Sequence, residues 1–237
     1  MLARDTVREI ETTVGIAKAH YFPVPRGVPR ATLVLGQGAD KHGIDSWDLN
    51  VLARSLPDIG VAVIQVEQPW VAAGRHASDG MPKLEAAFRE VVTDLRRSGE
   101  GLRRLVVGGR SHGARVACRA AASVEADAVM CLSFPLHNRG KAPAADRCAE
   151  LVAAAKLMPL TVLQGERDAM GTPLEVAAAL ADGGARGAVL SVPLSDHSFQ
   201  TPAKANVTSD EVAMVLVEGA RMALLHRTGN GGPLLPR

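Results

Sequence analysis

Hydrophobic residues fall along the chain in two alternating kinds of run. Short, β-branched stretches without polar alternation occupy 31–36 (ATLVLG), 61–66 (VAVIQV), 104–109 (RLVVGG), 128–134 (AVMCLSF), 160–165 (LTVLQG) and 188–194 (AVLSVPL). Their length and composition predict strands, and the missing alternation predicts burial on both faces. Between them lie longer stretches with apolar positions at helical spacing, at roughly 45–56, 83–97, 112–124, 146–156 and 173–182, with a last one near 208–227. Strand and helix in alternation define an α/β class, a mostly parallel central sheet with helices on both faces. Two strand-like pieces around 6–12 and 14–22 precede the Pro-rich PVPRGVP turn and are expected to add antiparallel edge strands. No internal repeat or linker divides the chain, so residues 1–227 are expected to form one domain, with a disordered tail, TGNGGPLLPR, at 228–237. About ten residues separate the 128–134 strand from the next helix, which leaves no room for a large lid domain.

Composition narrows the partners. With 237 residues, 47% of them hydrophobic, the chain can bury a core without disulfides or metals. Lys+Arg 27 against Asp+Glu 25 gives a net charge of +2, and no long run of one sign points to nucleic acid or a membrane surface. A small-molecule partner is therefore expected, with no cofactor and no metal. Cys118, Cys131 and Cys148 form no CxxC or zinc-type spacing, and their odd number argues against a disulfide framework. The opening MLARDTVREIETTVG mixes charges of both signs, unlike a secretory signal, and no apolar run reaches the length of about 18 residues that a spanning helix needs. The expected location is the cytoplasm.

The candidate chemistry lies at the ends of the predicted strands. In RLVVGGRSHGARVACRAA a strand, a sharp turn and a helix succeed one another, and Gly109-Arg110-Ser111-His112-Gly113 matches G-x-S-x-G at the turn. A nucleophilic serine must project from a tight backbone at the sheet's carboxyl edge, and small residues two before and two after it relieve the crowding; Gly109 and Gly113 meet that need. The N–H of His112, in the first turn of a helix, is a candidate oxyanion donor. A phosphate loop is the rival reading of these glycines. It fails because GGRSHGAR lacks the Lys-Ser/Thr ending, and Lys41 stands where GQGADK would need the third glycine of G-x-G-x-x-G.

An activated serine needs a base, and the base an orienting carboxylate, which follow the nucleophile in the order acid, then histidine. Asp168 follows a strand in LTVLQGERDAMG and His197 follows another in SDHSF. Glu166 and Asp196 are alternative acids. Among the other histidines, His20 lies in the N-terminal strands, His226 near the end of the last helix, and His112 is locked to a helix start. The glycine-rich loop Gly36-Gln37-Gly38-Ala39-Asp40 is positioned to supply the second oxyanion donor, the N–H of Ala39. Gln37, Trp70, His76, Phe134, His137, Met170 and Phe199 fall in or beside loops at the same sheet edge and are candidate pocket residues, with His42 a further one.

The segments LVLGQGAD, VEQPW, GGRSHGARVA, LQGERDAMG and SDHSF resemble those of small, lidless α/β-hydrolases akin to dienelactone hydrolase. Within that group they are most similar to bacterial proteins related to the hydrolase-like domain of an animal chromatin-complex subunit. The group generally has His-Gly where Gln37-Gly38 stands and often Met-Gly-Gly-Arg where His112-Gly113-Ala114-Arg115 stands, so Arg115 is retained and Gln37 is a departure. The resemblance implies the α/β-hydrolase fold and a serine triad of Ser111, Asp168 and His197. The expected activity is hydrolysis of a small ester, thioester or lactone through an acyl-enzyme, since no cap encloses the site and an aromatic content of 3% leaves few platforms for large planar ligands. The alternative is a non-catalytic module that keeps the fold and binds partners.

Overall fold

The computed structural model describes residues 6–40, 42–98, 102 and 104–225. Eight strands form one sheet: β1 (Thr6–Thr12), β2 (Gly15–Phe22), β3 (Ala31–Gly36), β4 (Val61–Glu67), β5 (Leu105–Arg110), β6 (Ala128–Leu132), β7 (Leu160–Gly165) and β8 (Ala188–Val192). Their order is β1-β2-β4-β3-β5-β6-β7-β8. The pairs from β4 through β8 are all parallel, whereas β1 with β2 and β2 with β4 are antiparallel. The N-terminal pieces thus extend one edge of the mostly parallel sheet with antiparallel strands, as the sequence predicts. The helices are α1 (Trp47–Ser55), α2 (Pro69–Ala72), α3 (Met81–Arg97), α4 (His112–Ala120), α5 (Ala145–Leu157), α6 (Pro173–Asp182) and α7 (Ser209–Leu225). The predicted tail at 228–237, the last residues of the 208–227 helix and His226 lie outside the described residues.

Two cores explain why the central strands lack polar alternation. Val34, Val107, Val129 and Cys131 face a cluster built with α3, α4, α5 and α6, while their neighbours Leu33, Leu35, Val106 and Met130 face one built with α1 and α7. Successive side chains point to opposite faces, and here each face is covered, so apolar residues fill most positions and the few polar ones, such as Gln65 and Gln164, are buried with hydrogen-bond partners. The last strand departs from that expectation. Only Val192 of β8 is buried, because β8 pairs with β7 alone and closes the sheet as an edge. Among the described residues, no helix is long and apolar enough to cross a membrane.

Parallel strands bring all their carboxyl ends to one rim. Positive-φ residues other than glycine are rare and strained. Here Ser111, Ser133, Leu194 and Phe199, four of the five among the described residues, occur in the segments that leave β5, β6 and β8 at this rim.

Candidate active site

Ser111 sits between β5 and α4 at φ 52 and ψ −113, outside the regions open to an ordinary L-residue. The turn is held from below by the Ser111 N–H, which donates to the Leu132 carbonyl of β6 at 2.9 Å. It is compressed from the side as well. A Cβ on Gly113 would stand 2.5 Å from the Gln37 carbonyl oxygen and nearer still to that of Gly36, and one on Gly109 would stand 2.5 Å from the Gly113 carbonyl carbon. Glycine is required at both positions because the start of α4 packs backbone to backbone against the end of β3.

The two loops beyond β7 and β8 complete the cluster. His197 Nε2 lies 2.9 Å from Ser111 Oγ, and its Nδ1 lies 2.7 Å from Asp168 Oδ2. Asp168 is 2% exposed. Its Oδ2 also accepts from Gln164 Nε2 at 2.8 Å, and its Oδ1 accepts from the Met170 N–H at 2.8 Å. Every neighbour of this carboxylate is therefore a donor. That fixes the imidazole tautomer: Nδ1 carries the proton toward Asp168, which leaves Nε2 as the acceptor facing the serine hydroxyl. The other two acids point elsewhere. Glu166 accepts from the Leu194 N–H and from Ser191 Oγ, and Asp196 accepts from the N–H groups of Ser198 and Gln200 in its own loop.

Neither the N–H of Ala39 nor that of His112 has a hydrogen-bond acceptor among the described residues. Burial, together with the positive charges of Arg115 and Arg147, holds the His112 imidazole below the ordinary histidine range, so its side chain adds no positive charge beside Ser111 at neutral pH. Gln37 is buried, and its Oε1 accepts from the Gln68 N–H at 3.4 Å, while its Nε2 has no partner among the described residues. A cavity of about 500 Å³ opens beside the 37–40 loop, with Ala39, Asp40, His42, Trp70 and His76 in its wall. It adjoins the loop without including Ser111 or His197.

The remaining candidates separate. Phe134 is fully buried in the core, so it packs rather than lining a cavity. Phe199 is also buried, against a smaller cleft of about 300 Å³ that it shares with Trp47. His137 donates from Nδ1 to the Asn138 carbonyl, and its N–H donates to the Met170 carbonyl, so these two brace the acid loop together. His20 is bound to Glu67 on β4, away from the cluster.

Sequence reasoning missed Gln164. Its side chain is fully buried, accepts from the Phe134 N–H at 2.8 Å, and donates to Asp168 and, at 2.5 Å, to the Gly171 carbonyl. The signal was a lone amide in an otherwise apolar strand, which must find buried partners.

Residues 29–223 match the alpha/beta hydrolase domain family, and the chain belongs to it. No curated protein matches the chain. Among solved structures, an α/β serine hydrolase without a lid from Xanthomonas campestris is similar at 20% identity and TM-score 0.71, over 94% of this chain and 96% of that one. An α/β serine hydrolase homologue from Coxiella burnetii is similar at 12% identity and TM-score 0.72, over 92% and 98%. The esterase Est1E from Butyrivibrio proteoclasticus is similar at 14% identity and TM-score 0.68, also over 92% and 98%. At these identities the likeness establishes the fold.

Proposed function

We propose that the chain is a serine hydrolase of small esters, thioesters or lactones, working through an acyl-enzyme in the manner of the lidless, dienelactone-hydrolase-like group. The reading is carried by one observation, the continuous hydrogen-bonded line from Ser111 Oγ through His197 to Asp168, started from a serine on strained backbone. His197 Nε2 takes the hydroxyl proton as Ser111 Oγ bonds to the substrate carbonyl carbon. Asp168 holds the imidazole and stabilises the imidazolium. The uncommitted N–H groups of Ala39 and His112 receive the oxyanion, and a low-dielectric rim makes such donors worth about 3–4 kcal/mol of barrier each. The imidazolium then gives its proton to the leaving group, and water activated by the same Nε2 releases the acid.

A fluorophosphonate probe tests the reading. The parent protein and Ser78→Ala are expected to become covalently labelled, and Ser111→Ala is not. A parent protein that resists labelling would favour the non-catalytic module.

A further inference from the structure

The residue between the first glycine and the serine of the elbow is an arginine whose side chain is only 8% exposed. A buried guanidinium needs partners on several sides, and the partners here come from three different segments. Nη1 pairs with Asp40 of the oxyanion loop, Nε lies 3.2 Å from Asp48 Oδ2 in the first turn of α1, and Nη2 donates to Ser198 Oγ at 3.0 Å. Ser198 directly follows His197, and Asp40 directly follows Ala39. Gly38 is shaped to this arrangement, since a Cβ there would stand 2.9 Å from both Arg110 Nη1 and Asp40 Oδ2.

We propose that Arg110 is a positioning residue that ties the oxyanion loop, through Asp40, and the histidine loop, through Ser198, to the strand that carries the nucleophile. The inference rests on the serine-hydrolase reading. Arg110 touches no reacting atom; it holds the loops that carry the Ala39 N–H and the His197 ring in place relative to Ser111. Its planar fork reaches two loops and α1 at once, which a lysine ammonium on a flexible stem does not.

The test compares Arg110→Met, Arg110→Lys and Asp40→Asn with the parent on a nitrophenyl ester, with active sites counted by fluorophosphonate titration. Misplacement of about 1 Å costs on the order of 10²-fold in rate. Arg110→Met is therefore expected to lose about 10²-fold in kcat per titrated site with KM within about twofold, and Arg110→Lys to recover little of it. A role confined to stability would lower the titrated fraction and leave kcat per site unchanged. Amide hydrogen exchange gives a readout independent of activity. In Arg110→Met the amides of His42 and Gly43, which bond to Asp40, and of Ser198 and Gln200, which bond to Asp196, are expected to lose protection while those of β5 keep it. If the parent protein is never labelled, the serine-hydrolase reading fails while the exchange data still decide whether Arg110 ties the loops. Should Arg110→Met fail to fold, Asp40→Asn decides alone through the 42–43 amides and kcat. Unchanged kcat per site or unchanged loop protection overturns the proposal.

Discussion

Replacing Gly113 by alanine isolates the contact between the elbow and the oxyanion loop. Gly113 lies inside α4, where its backbone is not in the left-handed region, so helix propensity alone would make alanine more stable by up to about 1 kcal/mol. The steric term opposes this. The new methyl would stand 2.5 Å from the Gln37 carbonyl oxygen, about 0.9 Å inside the 3.4 Å at which ordinary contact begins, and the opposing atoms are backbone that cannot swing aside. Overpacking of this kind costs about 1–3 kcal/mol, so a net loss of about 1 kcal/mol is expected. The larger effect is on rate. Relief requires the start of α4 or residues 36–37 to retreat, and the N–H of His112 or of Ala39 moves with them. Displacement by about 1 Å costs on the order of 10²-fold. The measurement pairs thermal unfolding with kcat per fluorophosphonate-titrated site. A variant that melts above the parent and turns over at the parental rate would show that the loop yields freely, and would refute the oxyanion assignment to this edge.

Two further predictions follow from the buried carboxylates. Asp168→Asn must set one NH₂ group against a donor, because Oδ2 faces Gln164 and His197 and Oδ1 faces the Met170 N–H; kcat is expected to fall by roughly 10²–10⁴-fold while the protein stays folded by circular dichroism, and parental turnover would remove Asp168 from the mechanism. Asp48 is fully buried, and burial raises its carboxyl to about 6 from 3.8 despite the lowering effect of Arg110. Between about pH 4 and 6 the folded chain therefore holds a proton that the unfolded chain has released, so this group's contribution to stability declines as pH rises through that window. Asp48→Asn should gain on the parent by about 2 kcal/mol between pH 4 and pH 7.5 in denaturant titrations, and an offset independent of pH would contradict this account.

Element types were legible because burial on two faces leaves a plain signature, whereas element ends depended on local backbone geometry. The strand read over 128–134 stops at Leu132, where Ser133 turns to φ 48, and the one read over 188–194 stops at Val192, ahead of Pro193 and Leu194 at φ 53. Neither turn contains a glycine to announce it. The helix read over 112–124 ends at Ala120, and Glu125 at φ 51 follows in the turn after it. Helix α2, which starts at the end of VEQPW, went unread because four residues carry no periodicity. The exposure of β8 could not be read either, since a strand's own residues do not reveal whether a neighbour lies on each side.

The site divides in the same physical way. Ser111, Asp168 and His197 could be proposed together because each must leave a strand's carboxyl end in a set chain order, and both demands leave traces in sequence. Arg110, Asp48 and Gln164 are held to different rules: each is a polar group made tolerable by partners 30 or more residues away, or a few residues away in a loop that must first be folded. Asp48 and Arg110 are separated by the rest of α1, β4, α2 and α3, yet they meet because β3 and β5 are adjacent in the sheet. Strand order is thus the information that converts an arginine inside a motif into a tie between two loops, and a linear pattern does not contain it.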